Sequence, residues 1–128
     1  MYSRNHTKED YELFKQWWAL WNWDAIPSAF LPQNSVVVCN DDGEPLAAVF
    51  IYKTDTPICW IENYISSKFK NNREDVILFL ISEAKKKAKE MGFKVAMSSV
   101  RHDGLANKLK QNSFIETDKG LTNYVGVL

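Results

Sequence analysis

Residues 73–91, REDVILFLISEAKKKAKEM, set the strongest limit on what this chain can become. Ile77, Leu80, Ile81, Ala84, Ala88 and Met91 recur at the three- and four-residue spacing that gathers side chains on one face of an α-helix. Glu83, Lys86, Lys87 and Glu90 are left for water. Gly92 stands at the position of a helix C-cap glycine, and the lysines of the last turns suit the negative end of the dipole. Strand-like runs flank this helix: ICWIENYI (58–65) before it and KVAMSSV (94–100) after it. A strand, a helix and a second strand in so short a span make a crossover, so the two strands are predicted to be parallel.

The rest of the chain adds antiparallel pieces. SVVVCN (35–40) and PLAAVFIYK (45–53) are joined by DDGE (41–44), whose Asp-Gly pair supplies the positive φ of a tight turn. TDTP then turns the chain into 58–65. From Thr7 the sequence predicts a helix, with Thr7 as N-cap, Asp10 completing a capping box, and Leu13, Trp17, Leu20 and Trp21 as its buried stripe. Residues 22–34, broken by Pro27 and Pro32, have room for at most a short second helix. DGLANKLKQN (103–112) is a short helix, and FIET and TNYVGVL, joined by DKG (118–120), form a closing hairpin. The expectation is a single domain over 1–128 of α/β (α+β) class. Its sheet is mixed and mostly antiparallel, with a central βαβ crossover and helices on both faces.

Sixteen basic and sixteen acidic residues cancel, which argues against a protein built to grip nucleic acid, including one that would use Lys68, Lys70 and Arg73. No apolar run is long enough to span a bilayer, and MYSRNHTKEDYELF lacks the apolar core of a signal peptide. A cytoplasmic location is expected. Cys39 and Cys59 lie in strand-like runs without metal-type spacing; they read as buried reduced thiols, with a disulfide between neighbouring strands as the alternative. His6 and His102 have no metal partners at sensible spacing, so no metal site is expected. KKKAK (85–89) is a solvated helix face.

That order of elements resembles the GNAT superfamily of N-acetyltransferases, from the first helix to the C-terminal hairpin. Three stretches carry the likeness. ISSKFKNNRED lays over the family's strand end and the glycine-rich turn that opens the long helix, with Ile65 in the Val/Ile place and Lys70 in the Arg/Gln place. AKKKAKEMGFKVAMSSV looks like the family's helix end, Gly turn and next strand. LANKLKQNSF is similar to its short helix with a closing Gly-Phe pair, here Ser113-Phe114. The chain departs from the pattern at Asn71, Arg73 and Asp75, which stand where glycines or alanine are usual, and at Leu109, which stands where a tyrosine is frequent.

The resemblance implies acetyl-coenzyme A as co-substrate and an amine-bearing acceptor. It places the coenzyme against Asn63, Tyr64, Ile65, Lys70, Asn71, Asn72, Arg73, Glu74, Asp75 and His102, with Lys68–Asp75 as the pyrophosphate turn. A backbone N–H within Asn63–Ile65 would serve the oxyanion. Elementary chemistry supports such a turn, because a helix start offers amides without intrahelical partners and a dipole that favours an anion. Asn71 tolerates a left-handed backbone, and Arg73 carries a phosphate-matching guanidinium. Asp75 opposes an anion, by about 0.3–1 kcal/mol for an exposed charge. The other account is a helix start that satisfies itself: Asn72 as N-cap, with Glu74 and Asp75 as the acids such a turn favours.

For the chemistry, Glu62 is the candidate base, an acid inside an apolar strand whose burial would raise its pKa. The bland account of Glu62 is a carboxylate paired with a lysine or exposed at a strand edge. Tyr124 is the candidate acid in place of the missing tyrosine, and Ser98 and Ser99 could order a water. Within WWALWNW, Trp18 and Trp23 fall outside the predicted stripe; with Phe30 they are candidates for an acceptor pocket, a homodimer contact or packing under a second helix. The alternative to an enzyme is a catalytically inactive GNAT-fold binding or structural protein with the Trp-rich region as its partner surface. Compact members with eroded glycines are reminiscent of phage-encoded proteins.

Overall fold

The computed structural model describes residues 1–128. Five strands form one sheet in the order β1 (Tyr2–Arg4), β2 (Ser35–Cys39), β3 (Pro45–Tyr52), β4 (Ile58–Ser66) and β5 (Val95–Met97). Every neighbouring pair is antiparallel except β4 and β5, which are parallel, as the crossover demands. The crossover helix is α2 (Arg73–Glu90), the first helix is α1 (Asp10–Leu20), and α3 (Asp103–Gln111) follows β5. This is the mixed, mostly antiparallel α+β sheet that the element order predicts.

Alternation along the strands divides the core. Val36 and Val38 of β2, Ala47, Val49 and Ile51 of β3, and Cys59 and Ile61 of β4 pack under Val76, Leu80, Ala84 and Ala88 of α2. Val37, Cys39, Ala48, Phe50 and Ile65 face the other way, against Phe14, Trp17 and Trp18 of α1. Because both faces of β2 and β3 are covered, these strands read as continuous apolar runs rather than alternating ones. Cys39 and Cys59 are buried free thiols on opposite faces.

Four local expectations are corrected. The first helix begins at Asp10, not Thr7; half of the capping box survives, in that Asp10 Oδ2 accepts the Thr7 N–H at 2.7 Å. Its buried stripe is Phe14, Trp17 and Trp18, rotated from the predicted one, and Leu20 is exposed. Strand β1 was not predicted, since only Tyr2 among its three residues has strand character; the pairing is supplied by the edge of β2. The closing hairpin is absent: residues 115–128 form neither helix nor strand. Between α1 and β2 the chain holds only a 3-10 turn at Ser28–Phe30. No helix is long and apolar enough to cross a membrane.

Candidate functional site

Strand β4 carries one residue too many. Ala48 pairs with Ile65 and Phe50 with Glu62, so two steps on β3 match three on β4, and Asn63 absorbs the surplus at φ 62°. The sequence signal for this bulge is an asparagine inside an otherwise apolar strand. The bulge reverses the alternation: Glu62 lies on the α1 side, Tyr64 packs with the α2 core, and Ile65 returns to the α1 core. Asn63 Nδ2 holds the kink by donating to Tyr52 Oη at 2.7 Å. Tyr52 thus belongs to this site although the sequence gave no reason to select it.

The same bulge lies where β4 and β5 part. Their ladder covers Ile58–Trp60 against Val95–Met97 and then ends. Past that point only side chains span the gap. Ser98 Oγ donates to the Ile61 carbonyl at 2.7 Å, Tyr64 Oη and Ser98 Oγ are 2.8 Å apart, and the Ser99 N–H donates to Glu62 Oε1 at 2.9 Å. Burial raises the Glu62 carboxyl above the usual range, and the Ser99 N–H only partly offsets this. Burial also raises the Tyr64 phenol, which stays a proton donor across the physiological range.

At the amino end of α2 the expected side-chain cap is missing. Asn72 is left-handed at φ 55°, and its side chain makes no capping bond. The first backbone bond of this turn runs from the Val76 N–H to the Asn72 carbonyl at 3.0 Å, so the preceding amides point outward unclaimed. Lys70, Asn71, Glu74 and Asp75 are exposed around them. Asn71, Asn72 and Asp75 also border a recess of about 400 Å³ shared with Asp41, Leu46 and Phe69. Arg73, by contrast, is not free for a ligand. Its guanidinium donates to Ser66 Oγ at 2.8 Å and to the Ser67 carbonyl at 3.0 Å, and it lies 5.2 Å from the Trp21 ring centre. Burial lowers its pKa, in keeping with a brace rather than a phosphate clamp.

The remaining candidates divide. Trp18 is 3% exposed, inside the α1 core, so it lines no acceptor pocket; the rotated stripe of α1 accounts for this. Trp23 is more open, 6.0 Å from Trp21 and 6.3 Å from His102 in stacked pairs. Trp21 is fixed there by its Nε1, which donates to the Ser66 carbonyl at 2.8 Å. Phe30 is exposed, and its carbonyl accepts from Tyr52 Oη at 3.3 Å. Tyr124 is 90% exposed in the unpaired C-terminal segment and reaches none of these groups. Leu109, in the place of the family tyrosine, is buried.

No protein-family model matches the sequence, and no curated protein matches it. Solved structures do. A transcriptional regulator from Bacillus halodurans C-125 superposes with a TM-score of 0.75 over 97% of this chain and 99% of its own, at 16% identity. A Trypanosoma brucei acetyltransferase gives 0.69 over 97% and 99%, at 13% identity. An aminoglycoside acetyltransferase from an uncultured soil metagenomic sample, solved with sisomicin, gives 0.65 over 99% and 95%, at 16% identity. The fold is that of the GNAT acetyltransferases.

Within the GNAT fold, the bulged strand, the uncapped helix end and the parting of β4 from β5 occupy one end of the sheet. Glu62, Tyr64, Ser98 and Ser99 bridge that opening, Asn63 turns to Tyr52 and His102 stacks on Trp23, whereas Trp18 is buried under the sheet and Tyr124 lies in solvent.

Proposed function

We propose that the chain binds acetyl-coenzyme A at the amino end of α2 and transfers the acetyl group to a primary amine on the α1 side of β4. The observation that carries this reading is the uncapped turn at Asn72: a left-handed residue opens the helix, and its first amides have no acceptor of their own. Such amides at the positive end of a dipole fit a diphosphate. Lys68 and Lys70 add positive charge beside them, and Asp75 opposes them.

On this reading the groups around the bulge would divide the steps of an acyl transfer. Glu62 would accept the proton of the incoming ammonium, with burial holding its pKa nearer to neutrality. Main-chain N–H groups at the bulge, displaced from the regular ladder, would donate to the carbonyl oxygen. The second proton, released by the nitrogen as the amide forms, would pass to the departing thiolate, because Leu109 has none to give and the Ser98 hydroxyl proton is held by the Ile61 carbonyl. Trp23, Phe30 and His102 would border the entrances.

The test is calorimetry with coenzyme A at millimolar concentration, paired with thermal unfolding. Binding heat and a raised melting temperature are the expected outcome. Absence of both rejects the proposal.

A second reading, a catalytically inactive binding protein, is favoured by one observation: the β4–β5 gap is already bridged by Ser98, Tyr64 and the Glu62–Ser99 bond. It requires that coenzyme A leave the protein unaffected.

A further inference from the structure

Trp60 and Glu62 share one side of β4, because Cys59 and Ile61 point into the α2 core. Tyr52 of β3 and Met97 of β5 stand on that same side, each directly opposite Trp60 in its ladder. The α1 layer stops short of them. Phe14, Trp17 and Trp18 cover Ala48, Phe50 and Ile65, whereas Trp60 is 38% exposed and Tyr52 and Met97 are half-buried. Phe30 enters from the connection between α1 and β2, its carbonyl accepting from Tyr52 Oη and its side chain open to solvent. On this uncovered face the strands present one charge, Glu62. That carboxylate takes part in none of the ion pairs of the protein, and its hydrogen bond comes from the Ser99 N–H. It is close enough to Tyr52 that its charge adds to the larger effect of burial in raising that phenol.

We propose that this face selects the acceptor, and that the acceptor is a monocationic primary amine joined to an aromatic body by a short spacer, an arylethylamine in class. The inference rests on the acetyl-transfer reading for its chemistry but not for its binding. Glu62 has no cation of its own, so the ammonium of a ligand completes the pair, in the place from which the same carboxylate would take the proton. One carboxylate matches one ammonium. A polyamine or an aminoglycoside would lay further charges on Trp60, Tyr52 and Met97, stripping their hydration with nothing to offset it. An aromatic body gains there instead, from ring edges and faces and from the Met97 sulfur. Side chains two apart on a strand are about 7 Å from one another, roughly the span from an ammonium to a ring across two carbons. Acids on the loops beyond, Asp24 and Asp103, lie in solvent, where an ion pair is worth little.

Calorimetry of the full chain with 2-phenylethylamine, spermidine and sisomicin, each with and without coenzyme A, tests the proposal. The arylethylamine should bind most tightly. Trp60→Leu, which keeps the face apolar, should weaken it about five- to tenfold while leaving coenzyme A binding unchanged. Glu62→Gln should weaken 2-phenylethylamine but not the uncharged 2-phenylethanol, a split that a merely misfolded variant would not give. Tighter binding of spermidine or sisomicin overturns the proposal, as does an unchanged affinity in Trp60→Leu. Coenzyme A binding with no response to 2-phenylethylamine under either condition also overturns it and leaves acetyl transfer standing. The opposite result, the amine bound through Trp60 by a chain that ignores coenzyme A, upholds this site and removes the transfer.

Discussion

Glu62 feels two opposed influences, a desolvating strand environment and the Ser99 N–H, and desolvation is the larger. A carboxyl raised in the folded state favours the fold below its unfolded pKa, and that contribution is lost as pH rises through the folded value. Glu62→Gln therefore should not weaken the protein at neutral pH. If Glu62 is the base, the same variant loses about 10²–10⁴-fold in transfer rate and loses the acidic limb of the pH–rate profile, while binding of coenzyme A is retained. A normal rate in Glu62→Gln removes it from the chemistry. On the proposed function Asp75 would act on binding alone. Asp75→Asn should tighten coenzyme A about two- to fivefold by calorimetry, the factor that roughly 0.3–1 kcal/mol of relieved repulsion gives. An unchanged or weaker affinity would place the diphosphate elsewhere.

At the scale of elements, two glycines make opposite predictions. Gly92 ends α2 at φ 98°, and a Cβ there would meet nothing within 4 Å, so the cost of Gly92→Ala is purely conformational, roughly 1–2 kcal/mol. Gly104 lies inside α3 with equally open surroundings and no positive φ, so Gly104→Ala should stabilise by roughly 0.5–1 kcal/mol. Urea melts of the two variants should move in opposite directions. The elements that the sequence announced are those with an unbroken rhythm and a punctuating residue: α2 with Gly92, the β2–β3 hairpin with Gly43, and the parallel pair that α2 imposes. It did not announce β1, whose pairing comes from a distant edge, nor the true face of α1. There, four tryptophans and Leu20 offered competing stripes, and only contact with Phe50 and Ile65 selects Phe14, Trp17 and Trp18. The site was half legible. Glu62 and the start of α2 stood out as local exceptions, but the bulge at Asn63, the Tyr52 contact and the inward turn of Arg73 depend on neighbours far away in the chain.

The molecule as a whole is tied across its N-terminal corner by Arg4, on β1, and Asp10, the buried first residue of α1, at 2.7 Å. The bond to Arg4 holds the Asp10 carboxyl below its ordinary range, with help from Thr7. Its contribution to stability is present above the unfolded carboxylate pKa and lost as pH falls through the depressed folded value. His6 adds to this from a higher pH. Burial lowers its imidazole pKa, its Nδ1 is 2.6 Å from Ser35 Oγ, and its ring lies 5.5 Å from that of Phe50. The unfolded chain therefore takes up its proton first. Denaturant midpoints should fall on acidification in two stages, the first below the ordinary histidine pKa and the second in the carboxylate range. Arg4→Ala should shrink the second stage to what the Thr7 N–H sustains and cost about 1–3 kcal/mol at neutral pH, because Asp10 loses its main partner. A midpoint insensitive to pH between neutrality and the carboxylate range would contradict this.

The surplus residue at position 63 makes β4 two strands in phase opposition, spliced end to end. Deleting it would not shorten a loop. It would set Tyr64 opposite Val49 and keep Ile65 opposite Ala48, each on the face it already occupies, and would remove the kink that Asn63 Nδ2 holds against Tyr52. A one-codon loss there spares both hydrophobic layers and takes away only the displaced main chain at the opening, whereas one further residue inserted beside it would turn the following side chains to the wrong faces.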